Sequence, residues 1–241
     1  GNANAVGIIW ADSSSPFINN CTVRYSQANG VSITPGVAFK FTNNTLTSNG
    51  TAGLFTSGSV SGGSTVTISG NTASNNGSTA IDTWGNRGGL YISLTGVTTY
   101  ITNNTVTNNT GNSSGGIYAA KSVIISQNQV TGNSGIGIRT YSDGTAILTD
   151  NLIKGNTGSL GGGLSISADG GGTITVSNNK IIGNHAAIGG GIYASTSNTS
   201  SLTIENNILH NNSISGQLNA VPANGAALSL KDETSNLLVT G

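Results

Sequence analysis

The stretch YITNNTVTNN (Tyr100–Asn109) sets an apolar residue, an asparagine pair, a second apolar residue and a second asparagine pair in ten positions. The phrase returns as FKFTNNTLTSN (Phe39–Asn49), VTISGNTASNN (Val66–Asn76), VIISQNQVTGN (Val123–Asn133), AILTDNLIKGN (Ala146–Asn156), ITVSNNKIIGN (Ile174–Asn184) and LTIENNILHNN (Leu202–Asn212). Its central asparagines are Asn20, Asn44, Asn71, Asn104, Asn128, Asn151, Asn179 and Asn207, spaced by 24, 27, 33, 24, 23, 28 and 28 residues. Such a period belongs to solenoids and propellers. Three residues before each asparagine stands an apolar residue, from Phe17 and Phe41 to Ile204. Five residues after it a second asparagine follows, from Asn49 to Asn212; only the first phrase departs, with Tyr25.

A third element closes each repeat. It is glycine followed by an apolar residue, as in Gly53-Leu54, Gly89-Leu90, Gly116-Ile117, Gly137-Ile138, Gly163-Leu164 and Gly191-Ile192. Within each element apolar and polar residues alternate, which predicts three short strands per repeat. Glycine and asparagine are too frequent for helix. One coil of three strands cannot bury its inner face alone; stacked coils can, each strand pairing with its counterpart about 4.8 Å away. The apolar residues then point inward. The asparagines lie at the bends, where Asn tolerates left-handed backbone. Their carboxamides can hydrogen-bond from coil to coil as a ladder.

The pattern apolar-x-x-Asn-x-apolar-x-x-Asn, then Gly-apolar, resembles the right-handed parallel β-helix repeats of the pectate-lyase-like superfamily. The resemblance spans nearly the whole chain and implies an all-β solenoid of about nine three-strand coils, a single domain over residues 1–241. Nine coils would make a rod of roughly 40 Å. The resemblance is nearly silent on function, because the superfamily holds polysaccharide lyases and hydrolases, epimerases, tailspikes and adhesins.

Composition narrows the field. Charged residues make up 7% of the chain, and eight acids balance eight bases. No basic tract invites nucleic acid. No apolar run approaches the ~18 residues of a membrane span. The Ser/Thr/Asn-rich, lysine-poor surface points to an extracellular or cell-surface setting. Cys21 is the single cysteine, so no internal disulfide is available.

Catalysis in the superfamily implies carboxylates gathered on one face. Here Asp143 and Asp169 share a register in neighbouring repeats, but SDGT and ADGGGT are ordinary turn sequences. Asp82 lies with Trp84 and Arg87 in the long loop between Gly77 and Gly88. His185 and His210 lack partners at ligand spacing. No catalytic set, metal site or cofactor is expected.

The outward position of the Gly-apolar strand reads Ile9, Ser32, Phe55, Tyr91, Tyr118, Arg139, Ser165, Tyr193 and Ser229. Phe55, Tyr91, Tyr118, Arg139 and Tyr193 are the candidate glycan contacts, since exposed rings stack on sugars. Cross-coil stacking that stabilises the sheet is the competing account. A second face carries Thr45/Thr47, Thr72/Ser74, Thr105/Thr107 and Gln129/Thr131, a row like those of ice-facing solenoids, before it fails at Leu152/Lys154. Nine Asn-x-Ser/Thr sequons coincide mostly with bend asparagines; glycans fit only where the side chain points out.

No capping element is visible at either end, which suggests head-to-tail or lateral packing with further copies, or a segment of a longer rod. The expectation is an extracellular structural or adhesive solenoid of a fibre or filament, without enzymatic activity. The alternative is a carbohydrate-binding or polysaccharide-degrading protein that uses the aromatic stripe.

Overall fold

A computed structural model describes residues 8–63, 65–77, 87–111, 114–197, 199–215, 225–233 and 236–240. Among them there is no helix. Three parallel sheets run the length of the molecule. The first has nine strands, from Ile9–Asp12 to Leu228–Glu233; the second has nine, from Phe17–Asn19 to Asn236–Thr240; the third has eight, from Thr22–Arg24 to Ile208–His210. Neighbours in each sheet come from successive repeats, so the chain winds as a parallel β-helix of eight full coils and two strands of a ninth. A fourth sheet of Thr157–Leu160, His185–Ile188 and Ser213–Ile214 appears in coils six to eight. It takes up part of the longer spacings there and was not expected from the repeat.

Side chains alternate as the phrase predicts. In the third sheet Leu46, Ala73, Val106 and Val130 pair in register and are fully buried. Phe41, Ile68, Ile101 and Ile125 do the same in the second sheet. Core and backbone pairing thus come from the same repeat.

The bends hold two asparagine ladders. In the first, each Nδ2 donates to the Oδ1 of the next coil: Asn44 to Asn71 at 3.1 Å, Asn71 to Asn104 at 2.9 Å and Asn104 to Asn128 at 3.0 Å, continuing through Asn151 and Asn179 to Asn207. The same Oδ1 accepts the preceding asparagine's backbone N–H, and Nδ2 also donates to a backbone carbonyl of the coil before. The second ladder repeats this geometry from Asn49 through Asn76, Asn109, Asn133, Asn156 and Asn184 to Asn212. Each third-sheet strand from coil two to coil eight is therefore pinned at both ends. The buried carboxamides are satisfied, which is the condition for keeping polar groups inside.

Two expectations need correction. The left-handed residue is not the ladder residue but the one before it. Asn43, Asn103, Asn178 and Asn206 have φ of 54–57°, and Gly70, Gln127 and Asp150 fill the same position. An asparagine pair is thus a left-handed bend followed by a ladder rung. Asn20, with φ 55°, is a bend residue of this kind and not a rung. Cys21 stands in the rung position and gives only its backbone N–H to Asn44 Oδ1, at 2.9 Å. Consequently Ile18, not Phe17, faces Phe41, and Phe17 is 67% exposed. Ser26 likewise replaces the second rung, its N–H meeting Asn49 Oδ1. Both ladders begin at coil two. Cys21→Asn should add a rung and raise stability by about 1 kcal/mol, read as an upward shift of the thermal midpoint.

Candidate functional site

The outer face of the first sheet gathers the irregular chemistry of the molecule. Its first outward column runs Trp10, Ser32, Phe55, Tyr91, Tyr118, Arg139, Ser165, Tyr193 and Ser229. Trp10, 62% exposed, takes the place expected for Ile9, which pairs inward with Val31. Coil one is offset by one residue at this strand, as it is at its third strand, where Val23 pairs with Leu46.

Phe55, Tyr91 and Tyr118 are brought together. Their rings stack nearly parallel along the rod axis, with centroids 5.1 and 4.6 Å apart and interplanar angles of 20° and 10°. The Arg87 guanidinium sits 4.6 Å from the Phe55 centroid and 4.5 Å from that of Tyr91, within cation–π range. The stack turns ring edges, not ring faces, outward, and Tyr91 is covered by a ring on each side. Arg139 pairs with Tyr118 in the next coil, but Tyr193 lies beyond both Arg139 and Ser165 and does not join. Each aromatic pair contributes about 0.5–1.5 kcal/mol beyond its buried area. Tyr91→Ala, which breaks two, should cost about 1–3 kcal/mol, read by thermal melts.

Burial, and next the neighbouring Tyr91, raises the Tyr118 pKa above the ordinary tyrosine value. The neutral phenol therefore favours the folded state at pH values below about 10. That contribution is lost as pH climbs through the raised pKa. Burial, and next the Asp169 charge, raises the Tyr141 pKa as well, so absorbance titration should show at least two tyrosines ionising later than a free phenol.

Beyond the stack, the side chains of Lys121, Tyr141, Asp143, Asp169 and Ser197 form a polar cluster. Lys121 Nζ lies 2.6 Å from Asp143 Oδ2 and 5.8 Å from the Tyr141 centroid. The Asp143 hydrogen bond raises the Lys121 pKa. Asp169 accepts from Tyr141 Oη at 3.2 Å, from Ser197 Oγ at 2.5 Å and from the Gly170 N–H at 2.8 Å. Asp143 and Asp169 thus flank Tyr141, as their shared register suggested, and each is held by donors. Among the described residues no three His, Cys, Asp or Glu side chains converge on a cation position. Asp82 and Trp84 lie outside the described residues. His185 Nδ1 contacts Ser213 Oγ at 2.9 Å on the fourth sheet.

The hydroxyl row of the third sheet is in register: Thr45, Thr72 and Thr105 form one column, and Thr47, Ser74, Thr107 and Thr131 the other. Of the sequons, Asn49 and Asn76 are buried rungs, whereas Asn20, Asn43, Asn103, Asn108 and Asn211 are exposed bend residues.

The right handed beta helix region family model matches residues 6–92 and 88–241, and the chain belongs to that family. The winding is therefore right-handed, as the resemblance implied. No curated protein and no solved structure matches the chain.

Proposed function

We propose that this protein is an extracellular structural or adhesive β-solenoid, a stiff non-enzymatic rod within a surface fibre or filament. The pair of unbroken ladders from coil two to coil eight carries the reading. They fix the third-sheet strands of coils two to eight at both ends and leave few loose backbone groups for a protease. The stacked rings support it as well, since they spend their faces on each other. So do Asp143 and Asp169, each engaged by donors and neither placed as a lone proton donor.

Lateral packing over the low-charge surface is one way for such rods to associate, since scarce charge permits close approach.

Electron microscopy of native material, with sedimentation velocity across a concentration series, tests the rod. Uniform fibres or laterally bundled rods are expected. Monomers at every concentration, or release of reducing ends or unsaturated products from neutral or acidic polysaccharides, would overturn it.

A further inference from the structure

We propose that the notch where the first sheet turns into the second, across coils three to six, binds a neutral saccharide. This rests on the adhesive reading and names its ligand class. The notch comes from turn length. Coil three takes Val60 to Thr65 to pass between the two sheets and coil four takes Gly96 to Thr98, but coil five takes only Lys121 and Ser122. Coil six takes Asp143 and Gly144, and coil seven lengthens again to Asp169–Gly172. The short turns leave a cavity of about 560 Å³, within the range of small-molecule sites.

Lys121 is the odd residue there. Its φ is +75°, the left-handed region. Coil four fills the start of its own turn with Gly96, also at φ +75°. A lysine in that conformation is strained, and strain kept at one residue points to a use for its side chain. The ammonium is held over the notch by Asp143, and the two side chains are 32% and 42% exposed. Together they present a donor and an acceptor with no net charge. The walls add the hydroxyl-bearing residues Thr65, Thr98 and Ser122. A polyhydroxylated ring suits this lining, because its hydroxyls both give and accept hydrogen bonds. A strongly acidic or basic ligand would instead set one member of the ion pair against itself.

Native gels cast with dissolved galactomannan, xyloglucan, β-1,3-glucan or polygalacturonate read the binding. At least one neutral polymer should retard the protein, and polygalacturonate should not. Lys121→Gly relieves the strain and removes the ammonium. It should keep or raise the thermal midpoint while weakening retardation at least tenfold. Thr98→Trp, which fills the notch without changing charge, should also abolish retardation. No retardation by any neutral polymer, retardation by polygalacturonate alone, or wild-type binding by both variants would overturn the site. Sedimentation and microscopy are independent of these gels, so loss of the notch and loss of the rod are separate results.

Discussion

Replacing Asn104 by leucine will cost about 4–6 kcal/mol of stability, and replacing its neighbour Asn103 by glycine will cost almost nothing. The estimate counts orphaned partners at about 1–3 kcal/mol each, less what local relaxation recovers. Asn104 Oδ1 accepts from Asn71 N and Asn71 Nδ2, both at 2.9 Å, and its Nδ2 donates to Ile68 O and Asn128 Oδ1. Leucine has a similar shape and none of these groups. Asn104 is 1% exposed, so water cannot step in. The chain of carboxamides also polarises from rung to rung, and a missing rung weakens those on either side. Asn103 is exposed, with φ 55°, a conformation glycine adopts freely. In a solenoid each coil contacts only its neighbours, so the damage is local. Hydrogen exchange should show protection falling in coils three to five of the Asn104→Leu protein, with a lowered thermal midpoint. Equal effects from the two substitutions would mean that the asparagine pair does not divide its labour as described.

That division marks the limit of what the repeat made legible. Periodicity revealed the three sheets, their inward residues and the existence of a ladder, because those depend on which residues recur. It placed the rungs from Asn44 to Asn207 but assigned the bend to the same residue, because in TNNT the bend and the rung are both asparagine. The coils that break the tie are those with Gly70, Gln127 or Asp150 before the rung. The first coil misled for the same reason: Asn20 looked like a rung until Cys21 proved to be opposite Asn44. Strand alternation placed Phe55, Tyr91 and Tyr118 in one column. Ring orientation is a rotamer property set by neighbours, so the face-to-face stack that hides the rings from a ligand had no linear signal. The notch was invisible for a further reason. It depends on the difference in length between successive turns, and a repeat pattern discards such differences.

Gly116→Ala should be as damaging as loss of a rung, although it adds a single methyl group. The added Cβ would stand 2.1 Å from Gly137 O and 2.6 Å from Val130 Cγ1. Gly137 O cannot retreat, because it accepts the Ile117 N–H at 2.8 Å and so fixes the first strand of coil five to coil six. Moving the backbone apart would open the first-sheet pairing at its start and shift Val130, which is fully buried. Overpacking of a core typically costs about 1–3 kcal/mol where side chains can yield; here the obstacle is backbone, and a loss of about 3 kcal/mol or more is expected. Gly155 supplies the internal control. It is exposed, has φ +64° and would meet nothing within 4 Å. It occupies the bend position that Asn108 fills in coil four, with φ 55°. Gly155→Asn should therefore change stability by no more than about 0.5 kcal/mol. Thermal melts of the two variants separate the reasons for glycine in this chain: at Gly116 the next coil leaves no room for a side chain, while at Gly155 only the left-handed backbone has to be met, and asparagine meets it. If Gly116→Ala melts with the wild type, the coils are not packed as closely at the Gly-apolar step as Ile117 and Gly137 place them.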